Sequence, residues 1–146
     1  SRREVEISKV VRQALEPVLF LENYPKTTID VYIEILQADG STRVTSVNAA
    51  SLALADAGVP MKDLIVALSG GKINGTLILD LNGLEDNNSE ADMPMAFTAN
   101  KKEITLLQMD GELKHEEIKK LMSEMFKAGE DIYKMQIKAL KDRYSE

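Results

Sequence analysis

The segment Gln37–Arg43 constrains the fold most, because two different hydrophobic periodicities meet there. Between residues 29 and 35 every second residue is isoleucine or valine, which is the pattern of a half-buried strand. From about residue 43 to 57 apolar residues instead recur at helical spacing, until Gly58 and Pro60 end the pattern. The sequence therefore predicts a strand over 28–36, a tight turn and then a helix.

The turn itself, Gly40-Ser41-Thr42, is a candidate anion site. A turn that opens a helix presents unpaired backbone N–H groups at the positive end of the helix dipole. The two hydroxyls and the adjacent Arg43 add further donors. The simpler alternative is that Ser41 or Thr42 only caps the helix and that Gly40 only permits the turn.

Composition limits the chemistry that this chain can carry out. With 146 residues, 44% hydrophobic and 29% charged, it suits a single globular domain over 1–146. The absence of cysteine rules out a disulfide framework, a thiolate metal site and a cysteine nucleophile, and the single histidine argues against a histidine-based triad. The net charge of −6 argues against a broadly basic surface, so any nucleic acid must be held by a few placed arginines.

The chain shows no sign of membrane insertion or export. No apolar run approaches the ~20 residues that a membrane helix needs, and no signal-peptide pattern opens the chain. We therefore expect a soluble cytoplasmic protein that does not bind a membrane.

The remaining elements predict an α+β fold with a mixed sheet packed by helices. Ser1 and Glu4 form a capping-box pattern that starts a helix, which Pro17 should end. A hairpin is expected from strands at 64–68 and 76–81 across the glycine-rich connection 70–75, with a further strand at 104–109. A helical pattern from about 114 to 144 predicts one long C-terminal helix.

Two further groups of charged residues are candidates for function. Arg2 and Arg3 occupy the first helical turn, where the dipole disfavours cations. Such a violation is typical of an anion site; the alternative is two solvated arginines.

The segment 82–92 carries four carboxylates and no basic residue. A turn could bring Asp86, on this loop, and Asp92, at the start of the next apolar run, to one end of the sheet. Such oxygen ligands suit Mg²⁺, and the alternative is a solvated acidic loop.

In order and spacing, these three motifs resemble the signature of the RNase PH family of phosphorolytic exoribonucleases. The motifs are Arg2-Arg3 opening a helix, Asp-Gly-Ser-Thr-Arg at 39–43, and Glu85-Asp86 followed by Asp92. The segments 49–58, 90–95 and 104–111 are more similar to the catalytic RNase PH-like subunit of the archaeal exosome than to bacterial RNase PH. The resemblance implies an RNase PH-like fold with βαβ character.

The resemblance also implies a role for each candidate residue. Asp86 and Asp92 would be the catalytic and metal-binding pair, with Mg²⁺ or Mn²⁺ as cofactor. The turn formed by Gly40, Ser41, Thr42 and Arg43 would bind inorganic phosphate, the co-substrate. Arg2 and Arg3 would bind the 3′ end of single-stranded RNA. Phosphate would attack the last phosphodiester and release nucleoside diphosphates in the 3′ to 5′ direction.

The family assembles as a hexameric ring, so the resemblance implies a non-catalytic RNase PH-like partner subunit and RNA-binding cap proteins. Family members carry an N-terminal segment before the arginine helix, from which we expect this chain to be truncated relative to the family. Two alternatives remain open at this point: a homohexameric RNase PH that trims tRNA 3′ ends, and a non-catalytic ring subunit that binds RNA.

Overall fold

The computed structural model describes residues 1–145, which form four α-helices and five β-strands. The helices are α1 (Arg2–Leu15), α2 (Thr42–Asp56), α3 (Gly83–Asn88) and α4 (His115–Tyr144). The strands are β1 (Ile65–Ile73), β2 (Thr76–Leu79), β3 (Ala91–Thr98), β4 (Ile104–Leu107) and β5 (Asp110–Gly111). No helix among these residues is long and apolar enough to cross a membrane.

The strands form one sheet in the order β2-β1-β3-β4, with β5 paired to the start of β3. Each of the four pairings is antiparallel. The predicted α+β class and the long C-terminal helix are confirmed. The expected βαβ arrangement around α2 is not seen in the described part of the chain, because the segment before α2 does not join the sheet.

The sheet is covered on both faces, which explains why its central strands are apolar without alternation. Successive residues of β1 point to opposite sides, so Ile65 and Ala67 belong to one core cluster and Val66 and Leu68 to another. The first cluster lies beneath α1 and α2, and the second beneath α4. In the second, Gly129 lets α4 approach the sheet, because a Cβ there would lie 2.4 Å from the ring of Phe97.

Helix positions follow local signals in the sequence. The Ser1–Glu4 capping box is present, and α1 ends at Leu15, two residues before Pro17. The predicted helices at 43–57 and 114–144 are confirmed, each starting within one residue of the expected position. Caps and periodicity depend only on residues that are close in sequence, so helix positions can be predicted without knowledge of distant contacts.

The predicted strand over 28–36 is wrong. Residues 27–41 contain neither helix nor strand. Ile29 and Ile33 pack against the core cluster beneath α1, whereas Val31 and Ile35 are 39% and 42% exposed. Alternation reports which side chains can face a core, but a strand also needs a hydrogen-bonding partner, and none of the five strands pairs with this segment.

Two predicted loops differ from the structure. The hairpin is present, but its turn is only Asn74-Gly75, and Gly70 and Gly71 belong to β1 rather than to the connection. The segment around Asp86, expected as a loop, is the short helix α3, whose N-terminus is capped by Asn82. The hairpin keeps the acidic segment next to β1, and the cap fixes where α3 begins.

Candidate active site

The candidate site is a cavity of about 320 Å³ at which α1, α2, α3, β1 and β3 meet. Of the eight predicted site residues, seven line it: Arg2, Arg3, Ser41, Thr42, Arg43, Asp86 and Asp92. Gly40, the eighth, immediately precedes Ser41 in the turn. The structure thus brings together three motifs that are up to ninety residues apart in sequence. The individual roles assigned to these residues remain predictions.

The N-terminus of α1 contributes the two arginines. Both side chains belong to exposed residues in the first helical turn, where the Ser1 cap starts the helix. Arg3 Nη2 donates to Thr42 Oγ1 at 2.8 Å. This bond ties the beginning of α1 to the beginning of α2, and it leaves the Thr42 hydroxyl proton for another acceptor. Arg2 also lines the cavity.

The turn before α2 adopts two successive left-handed residues, with φ of +79° at Gly40 and +52° at Ser41. A Cβ at residue 40 would lie 2.5 Å from the carbonyl oxygen of Leu81, so only glycine fits there. Successive backbone N–H groups in such turns can form a concave anion-binding surface. The Ser41 side chain makes no capping bond to α2, so the simple cap interpretation fails for Ser41.

Arg43 lies between two carboxylates. Its Nε is 2.9 Å from Glu6 Oε1 on α1, and its Nη1 is 3.8 Å from Asp92 Oδ2 on β3. The side chain remains 38% exposed. The Glu6 contact occupies Nε, and Arg43 also lines the cavity, so its remaining N–H groups are candidate donors to a phosphate oxygen.

The two aspartates differ in their surroundings. The Asp92 side chain is only 16% exposed, whereas Asp86 is exposed on α3. Burial raises the pKa of Asp92 above its ordinary value, and the nearby negative charges of Asp86 and Asp110 raise this pKa further. The positive charge of Arg43 lowers this pKa, but it does not cancel the two effects that raise it. The folded protein therefore disfavours the ionised form of Asp92.

This donor set fits a cation of the Mg²⁺ type. Within residues 1–145 there is no group of three or more histidine, cysteine or acidic side chains placed to hold a metal ion, so a cage built entirely from protein ligands is not formed. Mg²⁺ is commonly held by one or two carboxylates, with water and substrate phosphates completing its shell. Asp86 and Asp92 would supply those two carboxylates, and a cation beside them would offset the burial and charge repulsion that raise the pKa of Asp92.

Sequence reasoning missed four residues that line the cavity: Glu6, Val44, Ser69 and Pro94. Glu6 could have been found, because a residue three positions after Arg3 lies on the same helical face. Ser69 carried no such signal, because the predicted strand ended at 68 and placed it in a connection. The structure extends β1 through Ser69 and so turns it towards Ser41.

Comparison with protein families matches two successive parts of the chain. Residues 1–60 match the family described as "3′ exoribonuclease family, domain 1", and residues 63–128 match "3′ exoribonuclease family, domain 2". Together the two matches include every candidate site residue. The chain belongs to the RNase PH family.

Several curated relatives in the RNase PH family are named "Exosome complex component Rrp41". The one from Pyrobaculum calidifontis is 56% identical over 144 residues, which is 99% of this chain and 58% of the relative. Those from Pyrococcus furiosus and Nitrosopumilus maritimus are 56% and 51% identical, over 98% and 99% of this chain. The chain therefore spans a little under three-fifths of the length of these relatives.

A solved structure of the RNase PH type has the same fold. The crystal structure of rice (Oryza sativa) Rrp46 superposes with a TM-score of 0.86 at 25% sequence identity, covering 96% of this chain and 66% of that one. The predicted family and RNase PH-like fold are thus confirmed.

Proposed function

We propose that this chain is part of a phosphorolytic 3′ to 5′ exoribonuclease subunit. The observation that carries the proposal is one cavity in which Arg2, Arg3 and Arg43 face the carboxylates Asp86 and Asp92. Three cations suit an RNA end and a phosphate ion, which are both anions. Two carboxylates without a histidine or a cysteine suit chemistry that depends on a metal rather than on a protein nucleophile.

The proposed reaction is attack by inorganic phosphate on the terminal phosphodiester. A phosphate oxygen forms a bond to the phosphorus of the last linkage, and the bond to O3′ of the preceding nucleotide breaks. That O3′ leaves with a proton, so the products are a nucleoside 5′-diphosphate and an RNA one nucleotide shorter. The turn at 40–43 would hold the attacking phosphate, and Arg2 and Arg3 would hold the RNA phosphates. Catalysis would rest on positioning and charge neutralisation.

Asp86 and Asp92 would hold Mg²⁺ or Mn²⁺, which when bound would neutralise charge on the phosphoryl oxygens. Asp92 would remain ionised for this role because a bound cation lowers a raised carboxylate pKa. Arg43, already paired to Glu6, would keep its position while phosphate enters. These residues line the cavity together with Thr42, whose hydroxyl can donate to phosphate.

Assembly with further RNase PH-like subunits is part of the proposal. The name of the Rrp41 relatives places those proteins in an exosome complex. On this chain a cavity of about 680 Å³ lies between α1 and residues 27–35, beside the exposed apolar side chains of Val31, Tyr32, Ile35 and Leu36. Large exposed apolar surfaces mark protein contacts, so we expect an RNase PH-like partner subunit to cover this one in a hexameric ring. RNA-binding cap proteins would bind the ring.

The test uses the protein mixed with its candidate partner subunit, Mg²⁺ and a 5′-labelled single-stranded RNA, with and without inorganic phosphate. Shortening from the 3′ end only when phosphate is present supports the proposal. A ring-sized assembly that binds RNA but never shortens it would favour a non-catalytic ring subunit. A homohexamer active without the partner would favour a tRNA-trimming RNase PH.

A further inference from the structure

The turn that precedes α2 is bonded to the segment that precedes α3. Ser41 Oγ lies 2.8 Å from the Leu81 carbonyl oxygen and 2.6 Å from Ser69 Oγ. Because a carbonyl oxygen can only accept, the Ser41 hydroxyl donates to Leu81 and accepts from Ser69. These two bonds occupy the Ser41 hydroxyl and hold the turn in place. Ser41 can therefore donate to an anion only through its backbone N–H.

A second hydrogen bond joins Asp39 to α3 itself. Asp39 Oδ1 accepts from the backbone N–H of Gly83 at 3.0 Å. Gly83 is the first residue of α3, and a Cβ there would lie 2.9 Å from the same Asp39 oxygen. The close approach therefore depends on glycine at one end and on a short acceptor side chain at the other.

Helix α3 has only six residues and carries Asp86. A helix this short has little stability of its own, so its position depends on what holds its ends. The Asn82–Glu85 capping box acts within the α3 segment itself. Among the described residues, Asp39 supplies the side-chain hydrogen bond that joins this helix to the turn at 40–43.

We propose that Asp39 is a positioning residue that fixes the Asp86 carboxylate relative to the phosphate-binding turn. The inference rests on the proposed function, because it is that function which makes the spacing between Asp86 and phosphate matter. Reaction rates are sensitive to such spacing: a displacement of about 1 Å can cost ~100-fold. Asp39 itself does not line the cavity, so it acts through Gly83 and α3 rather than on the substrate.

The test compares Asp39→Ala with Asp39→Asn in the assembled protein. Asparagine keeps a carbonyl oxygen that can accept from Gly83, whereas alanine does not. We expect Asp39→Ala to lower kcat about tenfold with RNA affinity unchanged, and Asp39→Asn to restore it to within about twofold. Asp131→Ala is the control, because the Asp131 side chain is exposed on α4, pairs with Lys134 of the same helix and lines neither the active-site cavity nor the proposed partner surface. A kcat retained in Asp39→Ala, or lost equally in Asp39→Asn, overturns the proposal.

A second readout does not depend on activity. Amide hydrogen exchange of residues 83–88 reports directly on whether α3 is held. Exchange should be faster in Asp39→Ala than in the unmodified protein and normal in Asp39→Asn. If the unmodified protein shows no phosphorolysis, the proposed function fails while the exchange measurement still tests the bond. Unchanged exchange in Asp39→Ala overturns the positioning role.

Discussion

At the scale of single residues, Asp92 shows a conflict between stability and proposed function. Its folded-state pKa is raised above the ordinary value of 3.8, so the ionised form costs the folded state free energy at neutral pH. The wild-type protein should therefore gain stability from this group as the pH falls through the raised pKa. A cation bound beside Asp92 would offset this free-energy cost in the active protein.

Asp92→Asn should separate the two effects. The substitution removes the charge at nearly constant volume, so in Mg²⁺-free buffer at pH 7 the melting temperature should rise. The rise should vanish at a pH where wild-type Asp92 is protonated. Phosphorolysis should fall by about 100-fold or more, as expected when a group that stabilises developing charge is lost. Thermal denaturation at two pH values and an RNA-shortening assay check both parts, and a stable variant with full activity would contradict the assignment.

Arg43→Ala should change the need for phosphate more than the affinity for RNA. Charge-assisted hydrogen bonds contribute about 1.5–3 kcal/mol, so we expect the phosphate KM to rise by roughly 10- to 100-fold. RNA affinity should change little, because Arg2 and Arg3 are intact. Arg143→Ala is the matched control, since Arg143 is an exposed arginine at the end of α4 that pairs with Asp56 and lines neither the active-site cavity nor the proposed partner surface. An unchanged phosphate KM would show that Arg43 serves only to join α1, α2 and β3.

The eight candidate site residues could be named from the sequence because they belong to short local motifs. The sequence alone shows these motifs: a glycine before two hydroxyl residues, two arginines in the first turn of a helix, and two aspartates six residues apart. Glu6 was missed although it lies on the same helical face as Arg3, whereas Ser69 becomes part of the site only through its contact with Ser41, 28 residues away. The pairing of Asp39 with Gly83, 44 residues apart, was equally beyond local reasoning.

At the scale of elements, the turn at Gly40 can be tested against a matched glycine. Gly40 and Gly58 both have positive φ, but a Cβ at residue 58 would meet nothing within 4 Å. Gly58→Ala should cost about 1–2 kcal/mol for the left-handed backbone alone. Gly40→Ala should cost roughly 1–3 kcal/mol more, because its Cβ would overlap backbone atoms of Leu81 and Asn82. Urea denaturation measures both, and equal losses would mean that the turn can move.

The attachment of α4 to the sheet should depend on pH. Glu117, in the first turn of α4, lies 2.9 Å from Lys72 Nζ on β1. The Lys114 backbone N–H and the Lys72 ammonium lower the pKa of Glu117 below its ordinary value of 4.5. Its stabilising contribution is therefore present above pH 4.5 and is lost as the pH falls through the lowered pKa.

Glu117→Gln should consequently melt at a lower temperature than the wild type at pH 7, with the two converging in acid. The exposed Glu116→Gln is a suitable control, because Glu116 pairs only with Lys119 on the same helix. Melting curves recorded from pH 7 to pH 3 give the comparison. A constant difference across that range would show that the amide disturbs packing and that the ion pair is not the cause.

The helices could be predicted from the sequence more accurately than the sheet. The long helices α1, α2 and α4 follow from caps, Pro17 and 3.6-residue periodicity. The segment 28–36 has the alternation of a strand, but alternation contains no information about a partner. Helix α3 was missed although Asn82 and Glu85 form an N-x-x-E capping pattern, because the density of carboxylates suggested a loop.

At the scale of the whole molecule, the site lies where two layers of the fold pack against each other. The α1–α2 layer supplies the arginines and the turn, and the sheet with α3 supplies the carboxylates. Both halves match family domains that follow one another in sequence. The arrangement therefore explains why neither half of the chain alone carries a complete set of site residues.

The proposed function requires that phosphate, and not water, is the attacking group. The most direct measurement supplies ³²P-labelled inorganic phosphate and unlabelled single-stranded RNA to the protein assembled with its partner subunit and Mg²⁺. We expect the label to appear in nucleoside diphosphates, one for each nucleotide removed from the 3′ end. Release of unlabelled nucleoside monophosphates, with or without added phosphate, would contradict it.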